Sequence, residues 1–190
     1  GNEYTIEATA ADHTAKGSTA IPVPTPIDTI IYYKNVRQTS DGVMESDVII
    51  RFTDPVDENF YGLKVLAAAF NQSYPLCFKS NNPLLAESGM AFGTEEPVIC
   101  GTALFEDDLF SESSYEIRIT VYTQEIEQAD ELHVVLLTTS RDYYFYKRSS
   151  QQQQQTANNP FGEPVVVFNN IENGLGIVAG YSEDVTVFKP

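Results

Sequence analysis

The chain sets 27 acidic side chains against 11 basic ones over 190 residues, a net charge of −16 that repels nucleic acid and anionic lipid surfaces and argues against a polyanion-binding role. A hydrophobic share of 42% with 12% aromatic supports one sizeable core, and no apolar run reaches the roughly 18 residues that a membrane-spanning helix needs. Eleven Tyr and eleven Phe beside runs of Val and Ile favour strands over helices, and the acidic excess suits the solubility of a surface-exposed protein better than dedicated cation binding.

Tyr4-Thr5-Ile6-Glu7-Ala8 alternates with period two and reads as a strand. Ala11 to Lys16 turns the chain and Ser18 to Ile21 returns it, a hairpin over residues 1–22 that needs a packing partner because two strands alone are marginal in water. Pro22, Pro24 and Pro26 make a stiff, extended linker at 23–26. The main domain, 27–190, opens with strand-like runs Ile27 to Val36 and Val43 to Thr53, joined at the turn signal Ser40-Asp41-Gly42. Along the second run Val48, Ile50 and Phe52 face one way, and Ile49, Arg51 and Thr53 face the other, half-solvated side. Asp54-Pro55 ends it. Phe60 to Phe70 resumes as a strand in which Ala67-Ala68-Ala69 marks a close crossing.

Residues 71–103, with Asn81-Asn82-Pro83 and Glu95-Glu96-Pro97, read as long loops holding one or two short strands. Tyr115 to Tyr122 alternates with Tyr115, Ile117, Ile119 and Val121 inward, and Leu132 to Thr139 is apolar on both faces, as a central strand would be. Ser140 is placed to cap a helix from Arg141 to about Gln155. Seven or more mostly antiparallel strands with one short late helix predict an all-β fold, a β-sandwich.

Little in the chain carries chemistry. Cys77 and Cys100, the only thiols, either bridge or lie as two buried thiols. His13 and His133 are too few for a histidine-rich metal site, and zinc held with the cysteines would need the His133 strand to meet both. Asp107-Asp108 and the group Asp54, Asp57, Glu58 lack the spacing of a calcium-binding loop, and turns attract Asp for backbone reasons. Gly174-Leu175-Gly176 with Gly180 misses the dinucleotide fingerprint by one residue and has no strand-helix-strand unit around it. No nucleophile elbow or Cys-His pattern appears, and no acid pair stands out for glycoside cleavage. No metal, cofactor or catalytic residue is therefore expected. Tyr143, Tyr144 and Tyr146 are the best candidates for a ligand-contacting surface, on which sugars would stack; packing of Phe161 and Phe168 on the helix is the favoured reading of these rings. Asn71-Gln72-Ser73 matches the N-glycosylation pattern.

Residues 158–181 hold the most specific stretch. Pro160 and Pro164 forbid a helix, Asn173-Gly174 suits a turn, and Gly176 and Gly180 permit close backbone approach. Asn170, Glu172, Asn173, Gly174 and Gly176 form a turn whose residue types each have a backbone reason to be there, or else a recognition loop; the turn is favoured. A strand ending in Ser140, the Tyr-rich helix, Asn159-Pro160-Phe161 and Asn170 to Ile177 follow one another in the order seen in a family of Bacteroidota outer-surface lipoproteins, catalogued as domain of unknown function 4249, which this chain resembles. Val178 stands where that family usually has an aromatic.

The resemblance implies a lipid-anchored protein of the outer membrane or cell surface. Its signal, anchoring cysteine and most of an N-terminal immunoglobulin-like domain would lie upstream, with residues 1–22 as that domain's last hairpin. In such a compartment the cysteines can bridge. Asp28-Thr29-Ile30 resembles a periplasmic O-glycosylation site, with Thr29 as acceptor. The function the resemblance implies is a non-enzymatic binding or accessory lipoprotein beside an outer-membrane nutrient transporter, with a transporter or a glycan as partner. A structural or adhesive surface protein and an extracytoplasmic glycan hydrolase are the alternatives.

Overall fold

The computed structural model describes residues 1–70, 72–89, 96–108, 110, 113–156 and 164–190. Its strands in chain order are β1 (Asn2–Ala10), β2 (His13–Ile21), β3 (Ile27–Gln38), β4 (Met44–Thr53), β5 (Phe60–Ala69), β6 (Gln72–Pro75) and β7 (Cys77–Lys79). There follow β8 (Val98–Cys100), β9 (Ala103–Glu106), β10 (Ser114–Tyr122), helix α1 (Thr123–Glu127), β11 (Glu131–Thr139), helix α2 (Arg141–Thr156) and β12 (Tyr181–Phe188). The chain is mostly antiparallel β, 53% strand and 15% helix, an all-β sandwich as the pattern predicts. It divides into two compact units, Gly1–Val23 with Thr138–Ser182, and Pro24–Leu137 with Glu183–Pro190.

The larger unit contains the sandwich. One sheet runs β3-β4-β10-β7-β8; the other runs β12-β11-β5-β6, with β9 also on β5. Period-two alternation decides which residues face inward. Val48, Ile50 and Phe52 of β4 and Ile117, Ile119 and Val121 of β10 meet Tyr61, Leu63 and Val65 of β5 and Leu132, Val134 and Leu136 of β11 in a single buried cluster. Burying each such side chain contributes roughly 1.5–3 kcal/mol. β11 also buries Val135 and Leu137, which is why its sequence reads as apolar on both faces. Ala67 and Ala69 are buried, as the close crossing predicts.

At one end Phe52, Tyr61, Phe105, Phe110 and Tyr115 form an aromatic cluster, with Phe110 and Tyr115 stacked at 4.0 Å. The Tyr61 hydroxyl donates to Asp54 Oδ1 at 2.5 Å, and burial, then that hydrogen bond, pushes the phenol well above its ordinary value. Gly42 closes the β3–β4 turn at φ 85, a conformation that costs glycine least.

Two features differ from the sequence reading. Residues 71–103 hold three short strands, β6 to β8, and a 3-10 turn Pro83–Ser88 capped where Asn82 Oδ1 accepts from Leu84 N at 3.0 Å. Strands of three or four residues leave no alternation long enough to read. α1 was also hidden: five residues are little more than one turn, and it forms because Thr123 and Ile126 are buried.

In the smaller unit β1 pairs with β2 without interruption from Asn2↔Ile21 to Ala10↔His13. All nine residues of β1 are exposed, whereas β2 buries Gly17 and Thr19. α2 starts as predicted: Ser140 Oγ accepts from Tyr143 N at 3.2 Å and also from Gly180 N at 3.2 Å. The domain boundaries differ from those expected. Val23/Pro24 is one division, but others fall inside β11 and β12, so the described part of 158–181 groups with the hairpin instead of with 27–190. The cause is a set of long-range hydrogen bonds that no sequence pattern announces. Among the described residues no helix is long and apolar enough to cross a membrane.

Candidate functional site

The signature turn spends its polar groups on the backbone. Asn170 grips Val178 through both side-chain atoms, Nδ2 to the carbonyl at 2.8 Å and Oδ1 from the N–H at 2.9 Å, and Nδ2 also reaches Ser18 O at 3.3 Å. Glu172 and Lys16 exchange main-chain hydrogen bonds of 2.8 and 3.2 Å, which pairs the turn with the free edge of β2. Asn173, at φ 56, donates to Thr14 O at 3.4 Å. Gly174 lies where a Cβ would stand 2.9 Å from Ile171 Cγ2, and Gly176 has φ 130 with its N–H donated to Asn169 Oδ1 at 2.8 Å. These contacts support the turn reading: the motif holds the hairpin.

The tyrosines of α2 do not form one platform, because successive helix residues point about 100° apart. Tyr144 is 1% exposed and its hydroxyl accepts from Arg148 at 2.7 Å, so it has no surface for a ligand. Tyr143 and Tyr146 are half-buried, and the Tyr143 ring lies 5.4 Å from Tyr181. Phe168 packs on Phe145 at 6.1 Å and donates its N–H to Ser149 Oγ at 2.9 Å. Phe161 and the rest of Asn159-Pro160-Phe161 lie outside the described residues, as does Asn71 of the N-glycosylation pattern.

Other singled-out residues are accounted for locally. Cys77 and Cys100 form a disulfide between register partners of β7 and β8, with Cα atoms 4.2 Å apart. Thr29 is exposed on β3, and the neighbouring Asp28 carboxylate accepts from the Thr53 hydroxyl at 2.8 Å. Asp107 Oδ2 accepts from Asn59 N at 2.7 Å, a turn-fixing contact. His133 sits 3.5 Å from Glu131, and His13 is exposed. Among the described residues no three His, Cys, Asp or Glu side chains gather as a metal site.

What the sequence did not single out is the outward face of the β3-β4-β10-β7-β8 sheet. Antiparallel register puts directly opposed residues on one face. Glu45 is opposed by Arg37 on one side and Tyr122 on the other; Asp47 is opposed by Tyr33 and Thr120, and Thr120 by Lys79. On this solvent-facing side Glu45 and Asp47 are nevertheless 4% and 5% exposed, because cations cover them. Glu45 accepts from Arg37 Nε at 2.8 Å and Lys79 Nζ at 2.7 Å. Asp47 accepts from the Thr120 hydroxyl at 2.8 Å and from Arg37 Nη2 at 3.4 Å, and Arg118 Nη1 lies 3.6 Å away. Arg37 also donates to the Thr120 hydroxyl.

Burial pushes Glu45 up, but hydrogen bonds from Lys79 and Arg37 outweigh it and hold its carboxyl below the ordinary range. The Glu45 hydrogen bond raises Lys79. Lys79 rests 5.1 Å above the Tyr122 ring, beside a shallow pocket lined by Cys77, Val98 and Tyr122 among others. Sequence alternation assigns Glu45 and Asp47 to the face opposite Val48, but only register shows which cations meet them.

Comparison with known proteins gives a family without an assigned activity. The family model described as Domain of unknown function (DUF4249) matches residues 1–186, hairpin and sandwich alike. No curated protein and no solved structure matches the chain. By that match, which runs through nearly the whole chain, the protein belongs to the DUF4249 family.

Proposed function

We propose that this protein is a non-catalytic binding or accessory module that works outside the cytoplasm, lipid-anchored at the outer membrane or cell surface beside a nutrient transporter. The observation that carries the binding role is the outward sheet face, where two buried carboxylates hold three cations in place beside exposed tyrosines. A face built only for solubility gains nothing from burying charge, which is costly unless paired. The Cys77–Cys100 disulfide supports an oxidising compartment, and the resemblance to surface lipoproteins supports the anchor and the transporter. A second reading, adhesion through strand pairing, is favoured by β1, whose nine exposed residues leave one edge without a strand among the described residues.

The test is co-purification of the natural, anchored protein from its own outer membrane. Recovery of a transporter in near-equal amount is the expected result. Recovery of the protein alone from an extract that contains the transporter overturns the accessory role.

A further inference from the structure

The proposed binding role does not say what is bound, and the charges on the outward sheet face narrow the choice. Arg37, Lys79 and Arg118 face Glu45 and Asp47, so this patch carries one positive charge in excess on a protein whose net charge is −16. Glu45 is saturated by short contacts to Arg37 and Lys79, and Asp47 Oδ1 takes the Thr120 hydroxyl at 2.8 Å, but Arg118 makes no side-chain contact of that length among the described residues. Arg118 keeps its side chain 55% exposed, and among the described residues its only side-chain partner is Asp47 Oδ2 at 3.6 Å, longer than a hydrogen bond. A planar guanidinium with donors turned to solvent is shaped to take a carboxylate through two parallel bonds.

Aromatic rings frame this group. Tyr33 is 49% exposed and Tyr122 is 38% exposed, and their register puts both on the face that carries Glu45 and Asp47. From strand spacing and rise they stand about 12 Å apart across β3, β4 and β10, far enough to flank a short oligosaccharide between them. The disulfide fixes β7 to β8 at the wall of the neighbouring pocket, so Lys79 projects from a braced strand pair. Long-range repulsion from the acidic whole disfavours densely charged polymers, which leaves a small or sparsely charged acid as the fitting partner.

We propose, building on the binding role above, that the outward face of the β3-β4-β10-β7-β8 sheet binds a carboxylate-bearing saccharide, its acid group on Arg118 and Arg37 and its sugar rings on Tyr122 and Tyr33. The rings decide for a sugar acid over a simple organic acid, because an acid without an extended ring face would use the cations alone. The carboxylates Glu45 and Asp47 act as positioning residues: they hold the cations and do not touch the ligand.

The test titrates the folded protein by calorimetry with a galacturonic acid trisaccharide and with the same trisaccharide methyl-esterified at its carboxylates. The expected result is binding of the acid and at least tenfold weaker binding of the ester. Arg118→Gln and Tyr122→Ala should each weaken acid binding about tenfold while thermal unfolding stays near that of the parent. Arg51→Gln, which breaks only the pair with Glu116 further along the sheet, should leave binding unchanged. Equal binding of acid and ester overturns the charge assignment while keeping a saccharide site. Binding that survives both Arg118→Gln and Tyr122→Ala overturns the location. Failure to bind either sugar overturns this inference, and a transporter recovered in the co-purification would then show that the accessory role stands without it.

Discussion

Glu45 shows most clearly how one residue ties stability to the proposed site. Its carboxylate is buried and holds both Lys79 and Arg37, so Glu45→Gln leaves two partly covered cations short of an acceptor and should cost about 2–4 kcal/mol at neutral pH, measured by chemical denaturation. The pH dependence follows from the direction of each shift. Glu45 lies below the ordinary carboxylate value of 4.5, so its contribution is full above that value and is lost as pH falls through the lower folded value. Lys79 is raised above 10.5, so its contribution is full below that value and is lost as pH rises through the folded one. The gap between parent and Glu45→Gln should therefore be wide at neutral pH and narrow in acid. Tyr61 provides a second check: Tyr61→Phe removes the hydroxyl that donates to Asp54 in the core and should cost about 1–3 kcal/mol.

At the scale of elements, the disulfide and the signature turn each brace something short. Cys77 and Cys100 join two three-residue strands across 23 positions of sequence, so replacing both by Ser should lower stability by about 3 kcal/mol and loosen the pocket wall. The turn braces β2 through Gly17, where an added Cβ would stand 2.6 Å from Ile171 Cδ1 and 2.7 Å from Val178 Cγ2. Gly17→Ala should destabilise by about 1–3 kcal/mol, and hydrogen exchange should show the loss at β2 before it appears in the sandwich core.

These elements also mark where sequence reading reached and where it stopped. β4 and β10 were legible because each sustains its alternation over nine or more residues, β11 because it is a continuous apolar run, and α2 because it has helical spacing with Ser140 at its start. The signature was legible as a turn from its Asn and Gly content, but its partner was not, because Glu172 pairs with Lys16 across more than 150 positions. The sheet-face site was hidden for the same reason. Glu45 and Asp47 read as a solvated strand face until register places Arg37, Thr120 and Lys79 around them.

Over the whole molecule, the net acidic charge and a locally positive sheet face define a division of roles. Asn170 of the signature and Arg148 of α2 use their side-chain donors within the chain, while the sandwich turns Arg118, Tyr33 and Tyr122 outward from one sheet. We assign recognition to this sheet face and not to the family's signature turn. Backbone amide shift mapping tests it most directly, with the galacturonic acid trisaccharide added to the isotope-labelled protein. The expected perturbations centre on Arg37, Lys79, Arg118 and Tyr122, with residues 170–176 and 143–146 unmoved. Perturbations confined to the turn and the helix would contradict it and return the site to the signature.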